Sequence, residues 1–221
     1  MQHHRFVSWL AIILLCAFVL VIFYLATKPP QVDTTYTETE TEIVLLDQPI
    51  IAFIDPARGS EEAELTIVEF SDFDCLPCKD MSNNIARIQQ AFPDQVRHVF
   101  KGAPNSGASA TAERNMIAAY CAHEQGRFWE YHDILFENYG YITEEMLLII
   151  ASTVGLDTTS FNDCIIEEDT LPQIERAVNE AMALSITALP TIFIGQERWI
   201  GEISYQELEQ IVRGQLMKQN N

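Results

Sequence analysis

The longest apolar run in the chain lies near its start. Residues 6–26 (FVSWLAIILLCAFVLVIFYLA) form 21 positions without a charge. As a helix rising 1.5 Å per residue they span about 31 Å, close to the hydrocarbon thickness of a bilayer. Trp9 and Tyr24 stand near the two ends, where amphipathic rings favour the membrane interface. The alternative is a cleavable signal peptide, whose apolar core usually runs about 7–15 residues and ends at small residues. Cleavage after Ala26 would place bulky Tyr24 at the third position back, so the pattern predicts an uncleaved transmembrane anchor over residues 1–28. Residues 29–49 begin Pro29-Pro30 and continue with alternating Thr and Glu, which predicts a solvated, self-repelling acidic stalk.

From residue 50 to 221 the pattern is that of a folded domain. Residues 63–70 (AELTIVEF) read as a buried strand, and Met81, Ile85 and Ile88 recur at helical spacing within 76–91. A second strand is predicted over 95–100. A block of helices follows: 108–124, 128–137, and 144–154 with Thr143 as N-cap and Gly155 beyond its end. A further helix starts at Thr170, where Thr170-x-x-Gln173 makes a capping box and Pro172 falls in the first turn. Strands return at 191–194 and 197–200 with Gly195 turning between them, and a last helix opens with the capping box Ser204-x-x-Glu207. Strands alternating with helices at both ends predict an α/β sheet, interrupted by an all-helical insertion over about 106–184.

Charge removes one class of function. Thirteen Lys and Arg stand against 32 Asp and Glu, a net charge of −19, and no basic cluster exists to displace counterions from a phosphate backbone; nucleic acid is excluded as a partner. Hydrophobic residues make up 48% of the chain, ample for a core. Of five cysteines, Cys16 lies in the apolar span, Cys121 and Cys164 fall in the helical block, and two form Cys75-Leu76-Pro77-Cys78. That pair directly follows a predicted strand and opens a predicted helix. A thiolate at Cys75 would meet unpaired helix N–H groups and the positive end of the macrodipole. Cys78, one turn inside, is placed to attack a disulfide formed by Cys75, which predicts thiol–disulfide exchange through a mixed disulfide. The other use of such a pair is zinc, which wants four ligands; the remaining candidates Cys121, His123, His132 and Cys164 are scattered, so no metal is expected. Glu69 sits in the central strand flanked by Ile67, Val68 and Phe70, which favours burial over an exposed edge position. His98, His123 and His132 show no catalytic partner, and Phe128, Trp129, Tyr131 and Phe136 most simply form core.

Four segments in this order resemble the DsbA-like thiol:disulfide oxidoreductases of the thioredoxin superfamily, in their membrane-anchored or secreted bacterial forms. They are TIVEFSDFDCLPCK (66–79), AAYCAHEQGRFWEYHDILFEN (118–138), FNDC (161–164) and ALPTIFIG (188–195). The resemblance implies a thioredoxin fold with an inserted helical subdomain behind the transmembrane helix. It makes Cys75 the nucleophile and Cys78 the resolving cysteine. Glu69 becomes the buried acid that exchanges a proton with Cys78, and Pro190 a cis-proline that, with Leu189, faces the cysteines and binds extended substrate. It also pairs Cys121 with Cys164 in a second disulfide, against the alternative of two buried free thiols. No cofactor is implied. Partners would be exported proteins bearing thiols or disulfides, and a quinone-linked redox partner in the inner membrane. The catalytic domain would then lie on the periplasmic side, where disulfides persist. Direction is less determined by the residues: Leu76-Pro77 resembles reducing thioredoxins, and Asp72 and Asp74 oppose thiolate formation while the helix terminus favours it. Introduction of disulfides is the expected activity; a reductase or isomerase, or a tethered peptide-binding module without turnover, are the alternatives.

Overall fold

The computed structural model describes residues 15, 17–25, 27, 45–104 and 110–219. The chain divides into two compact units, Met1–Glu42 and Ile43–Asn221. In the first, the described residues are helical and expose apolar side chains, among them Phe18, Leu20 and Phe23. Among the described residues no helix is long and apolar enough to cross a membrane. Much of the expected span 6–26, and nearly all of the stalk, lies outside them.

The second unit is built on a five-stranded sheet with strands β1 (Ala57–Arg58), β2 (Leu65–Ser71), β3 (Val96–Gly102), β4 (Thr191–Ile194) and β5 (Glu197–Ile200) in the order β1-β3-β2-β4-β5. Strands β2 and β3 are parallel and need a crossover, which helix α1 (Leu76–Ala91) supplies; the other pairings are antiparallel. Between β3 and β4 the described residues form five helices: α2 (Ala110–Glu124), α3 (Phe128–Glu137), α4 (Glu144–Thr153), α5 (Thr158–Glu167) and α6 (Leu171–Ala183). Helix α7 (Tyr205–Gln219) closes the fold. The α/β sheet with its helical insertion is therefore the architecture the residue pattern predicts.

Three clusters form the core. Leu65, Ile67, Val96, Ile192 and Ile194 on one sheet face meet Met81, Ile85 and Ile88 of α1 and Leu208, Val212 and Leu216 of α7. Val68, Phe70, Val99 and Phe193 on the other face meet Ala181 and Leu184 at the end of α6. The helical block has its own core, which reaches the sheet through Phe73, Cys78 and Phe100. Close approach of α2 to β3 requires Gly102: a Cβ there would collide with Met116 Sδ, and the Gly102 N–H donates to the Tyr120 hydroxyl at 3.1 Å.

Two elements escape the sequence pattern. Strand β1 is only two residues long, and α5 carries just two buried side chains, Phe161 and Ile165, too few to set a helical period. The Thr170 capping box also does not form. Thr170 is buried and turns its hydroxyl to the Ile117 carbonyl at 3.3 Å, giving α6 no side-chain cap.

Within the helical block Cys121 of α2 is joined to Cys164 of α5 by a disulfide with Cα atoms 6.0 Å apart. The bridge closes a loop of 43 residues in sequence separation. Loop-closure entropy of that size is worth about 4 kcal/mol at its upper end, and native bridges usually contribute about 2–4 kcal/mol. The double variant C121A/C164A is expected to lose stability in that range in denaturant unfolding of the oxidised protein. An unchanged midpoint would mean that the bond does not constrain the unfolded chain.

Candidate active site

After Ser71 the chain turns through Asp72, Phe73 and Asp74, with the Asp74 N–H donating to Asp72 Oδ1 at 3.0 Å. This turn delivers Cys75 as the N-cap of α1, in extended backbone geometry, and its sulfur accepts from the Cys78 N–H at 3.2 Å. The same N–H also reaches the Cys75 carbonyl at 3.1 Å, and an anionic sulfur at this position would be stabilised by the amides and the positive end of the helix start. Pro77 occupies the first turn, where the missing N–H costs nothing. Cys75 and Cys78 form a disulfide with Cα atoms 5.2 Å apart. Cys75 is half-buried and Cys78 is fully buried, so only the first sulfur is open to attack.

A second chain segment faces Cys75. The Leu189 carbonyl oxygen lies 3.9 Å from Cys75 Sγ, and the Leu189–Pro190 peptide bond is cis. Pro190 is buried, and its carbonyl accepts from the Gly201 N–H at 2.8 Å. The structure thus brings Cys75, Cys78 and the Leu189–Pro190 segment together, while the Cys121–Cys164 bridge joins two helices of the helical block, in the same core against which Cys75 and Leu189 pack.

Glu69 lies in β2, wholly buried, on the sheet face that α1 covers. Ser71 donates its hydroxyl to Oε1 at 2.8 Å, and His98 Nε2 stands 2.9 Å from Oε2. Loss of hydration pushes the Glu69 carboxyl up from 4.5 to about 7, against the smaller opposing pulls of His132, the Ser71 hydroxyl and Arg58. Between about 4.5 and about 7 the folded state holds a proton that the unfolded state has released, so stability falls as pH rises through that window. The loss is on the order of 3 kcal/mol at one pK unit per 1.36 kcal/mol. E69Q is expected to flatten this slope in urea unfolding between pH 4.5 and 8; an unaltered slope would refute the assignment.

His98 is the site residue that sequence reasoning missed. The strands LTIVEFS and VRHVFKG share one burial pattern, and the register pairs Ile67 with His98 and Glu69 with Phe100, which sets Glu69 and His98 diagonally on one face. Only the register reveals the pair, and spacing does not supply it. Beside it, His132 is fully buried among Phe73, Phe100, Phe128, Trp129 and Phe136, as core. Among the described residues, no three His, Cys, Asp or Glu side chains are grouped to hold a metal ion. A cavity of about 410 Å³ lined by α2, α4 and α5 includes no cysteine among its lining residues; a smaller one of about 150 Å³ adjoins Phe73 and Asp74.

A thioredoxin family model matches residues 54–213, the sheet and the helical insertion alike. The chain belongs to the thioredoxin family. Its solved structural neighbours include a thioredoxin-like oxidoreductase from Silicibacter pomeroyi, at TM-score 0.67 and 24% identity over 76% of this chain and 94% of that one. They also include the thiol-disulfide exchange protein α-DsbA2 from Wolbachia pipientis, at TM-score 0.64 and 22% identity over 73% of this chain and 87% of that one. The fold is thus the DsbA-like variant of the thioredoxin architecture. Among curated relatives, Disulfide bond formation protein D of Bacillus subtilis is 25% identical over 73% of this chain and 77% of that protein. The Na(+)/H(+) antiporter NhaA of Herminiimonas arsenicoxydans is 30% identical over 72% of this chain but only 25% of its own length. This thioredoxin-family chain therefore spans about a quarter of the antiporters it matches.

Proposed function

We propose that this chain is a membrane-anchored thiol:disulfide oxidoreductase that introduces disulfides into exported proteins outside the cytoplasm. One observation carries the reading: a half-buried Cys75 caps α1 opposite the cis Leu189–Pro190 segment, while its disulfide partner Cys78 is shut away from solvent. A client thiolate attacks Cys75 Sγ, the Cys75–Cys78 bond breaks, and Cys78 leaves as a thiolate that Glu69 protonates. A second client thiolate attacks the client sulfur of the mixed disulfide and releases the Cys75 thiolate, which the helix terminus stabilises. The client loses two electrons and the domain gains them. A quinone-linked membrane partner is the proposed acceptor that restores the disulfide, and the apolar residues 6–26 are the proposed anchor that keeps the domain beside it. The likeness to a disulfide bond formation protein supports this direction.

The test mixes the oxidised full-length chain, in detergent, with a reduced secreted protein that has native disulfides. Client thiols should disappear one-for-one with the appearance of Cys75 and Cys78 thiols. A client that stays reduced while Cys75–Cys78 remains bonded would refute the proposal.

A further inference from the structure

His98 is a buried titratable side chain in contact with the proposed proton exchanger. Its Nε2 lies 2.9 Å from Glu69 Oε2, and both side chains have no solvent exposure. Its other ring nitrogen, Nδ1, is buried without a hydrogen-bond partner among the described residues. That asymmetry selects one protonation form. A cationic ring, or the neutral tautomer with its hydrogen on Nδ1, would bury an N–H donor with no acceptor. The neutral tautomer with hydrogen on Nε2 leaves only a lone pair unmatched and gives Glu69 a donor.

Burial and the Arg58 charge act in the same sense, and the Asp133 carboxylate opposes them more weakly. Arg58 of β1 is the register partner of His98, and its guanidinium lies 4.2 Å from the centre of the Trp129 ring, which in turn packs 4.8 Å from the His98 ring. Burial first, and then the Arg58 charge, hold His98 well below the usual histidine range. From α3, Asp133 is engaged by Arg58 and by His132, the second buried imidazole. From α1, Cys78 is buried in the cluster that holds Phe100, the register partner of Glu69 on β3, and from β4 the register partner of Glu69 is Ile192, which carries no charge.

We infer that His98 is the positioning residue of the Cys78 proton exchange: its Nε2–H donates to Glu69 Oε2 and, with the Ser71 hydroxyl on Oε1, orients the carboxyl and stabilises the carboxylate left when the proton passes to Cys78. The proton moves from the Glu69 carboxyl to the Cys78 thiolate, or back when Cys78 resolves a mixed disulfide; His98 keeps its own hydrogen throughout. This inference rests on the reading of Glu69 as the proton exchanger.

The experiment uses the full-length chain in detergent, with Cys75 held as a mixed disulfide to glutathione, and follows release of glutathione by Cys78 from pH 5 to 9. The wild type should show a limb near pH 7, where Glu69 ionises. E69Q should lose the limb. H98F should move it upward by about one pH unit, a roughly fivefold slower release at pH 7. H98Q, whose side-chain amide can donate from a similar position, should return the rate to within about twofold of wild type. Nitrogen NMR of the His98 ring should report a neutral ring protonated at Nε2 across the same range. A wild-type profile in H98F, with the limb lost in E69Q, would overturn the role of His98 alone. A limb that survives in E69Q would overturn the reading of Glu69 as well. If H98F does not fold, H98Q and the NMR decide: a cationic ring above pH 6, or hydrogen on Nδ1, contradicts the inference.

Discussion

Replacing Cys75 by serine abolishes client oxidation, a loss on the order of a thousandfold or more, because the sulfur that a client can reach is gone. Cys78→Ser gives a different result. Cys75 keeps its place at the start of α1, where an anionic sulfur is stabilised, and still attacks client disulfides. No second sulfur follows to resolve the product, so mixed disulfides accumulate. Intact mass and non-reducing gels should show Cys75-linked adducts in C78S and none in C75S. The exposure difference between the two cysteines sets this order, and equal trapping by both variants would contradict it.

The largest effect on stability is expected at Lys101. Its ammonium is buried at the end of β3 and spends its three hydrogens on the Ile50 carbonyl at 2.7 Å, Asp55 at 2.8 Å and Glu180 at 2.9 Å. The Asp55 and Glu180 side chains are only 3% and 7% exposed. Glu180 also accepts from the Ile50 N–H, and Asp55 from the Ala52 N–H and from Arg176. One ammonium thus ties the segment that enters the domain to β3 and α6. In K101M the methylenes remain, but two carboxylates are left inside, with the half-buried Arg176 on Asp55. Loss of one partner from such a network costs about 3–5 kcal/mol. For a domain of this size that corresponds to a melting point lower by about 10 °C. The double variant K101M/E180Q should recover part of the loss, because it removes one stranded charge. A K101M penalty below about 1 kcal/mol would show that water reaches the cluster.

Much of the fold was legible because its elements have long, regular patterns. The short apolar, β-rich run before Cys75 reads as a buried strand. Met81, Ile85 and Ile88 read as the inner face of α1, and all three pack on that sheet. The reactive pair was legible for a similar local reason: a strand, a turn and a helix start are contiguous in the chain, so their chemistry follows from spacing. What stayed hidden depends on contacts between distant segments. The Glu69–His98 pair needs the register of β2 on β3, and the Lys101 cluster joins residues 50, 55, 101 and 180. Thr170 shows the same limit from the other side. Its local motif predicts a cap, but burial against α2 redirects the hydroxyl.

The central claim is that Cys75–Cys78 is a disulfide the domain gives away. The most direct measurement equilibrates the full-length chain in detergent against glutathione buffers of graded ratio and reads the state of the pair by intact mass. Stabilisation of the Cys75 thiolate by the α1 terminus raises the potential. A value nearer the roughly −120 mV of a strong oxidant than the roughly −270 mV of a reducing thioredoxin is therefore expected. A potential at or below about −270 mV would make the domain a reductase and contradict the account.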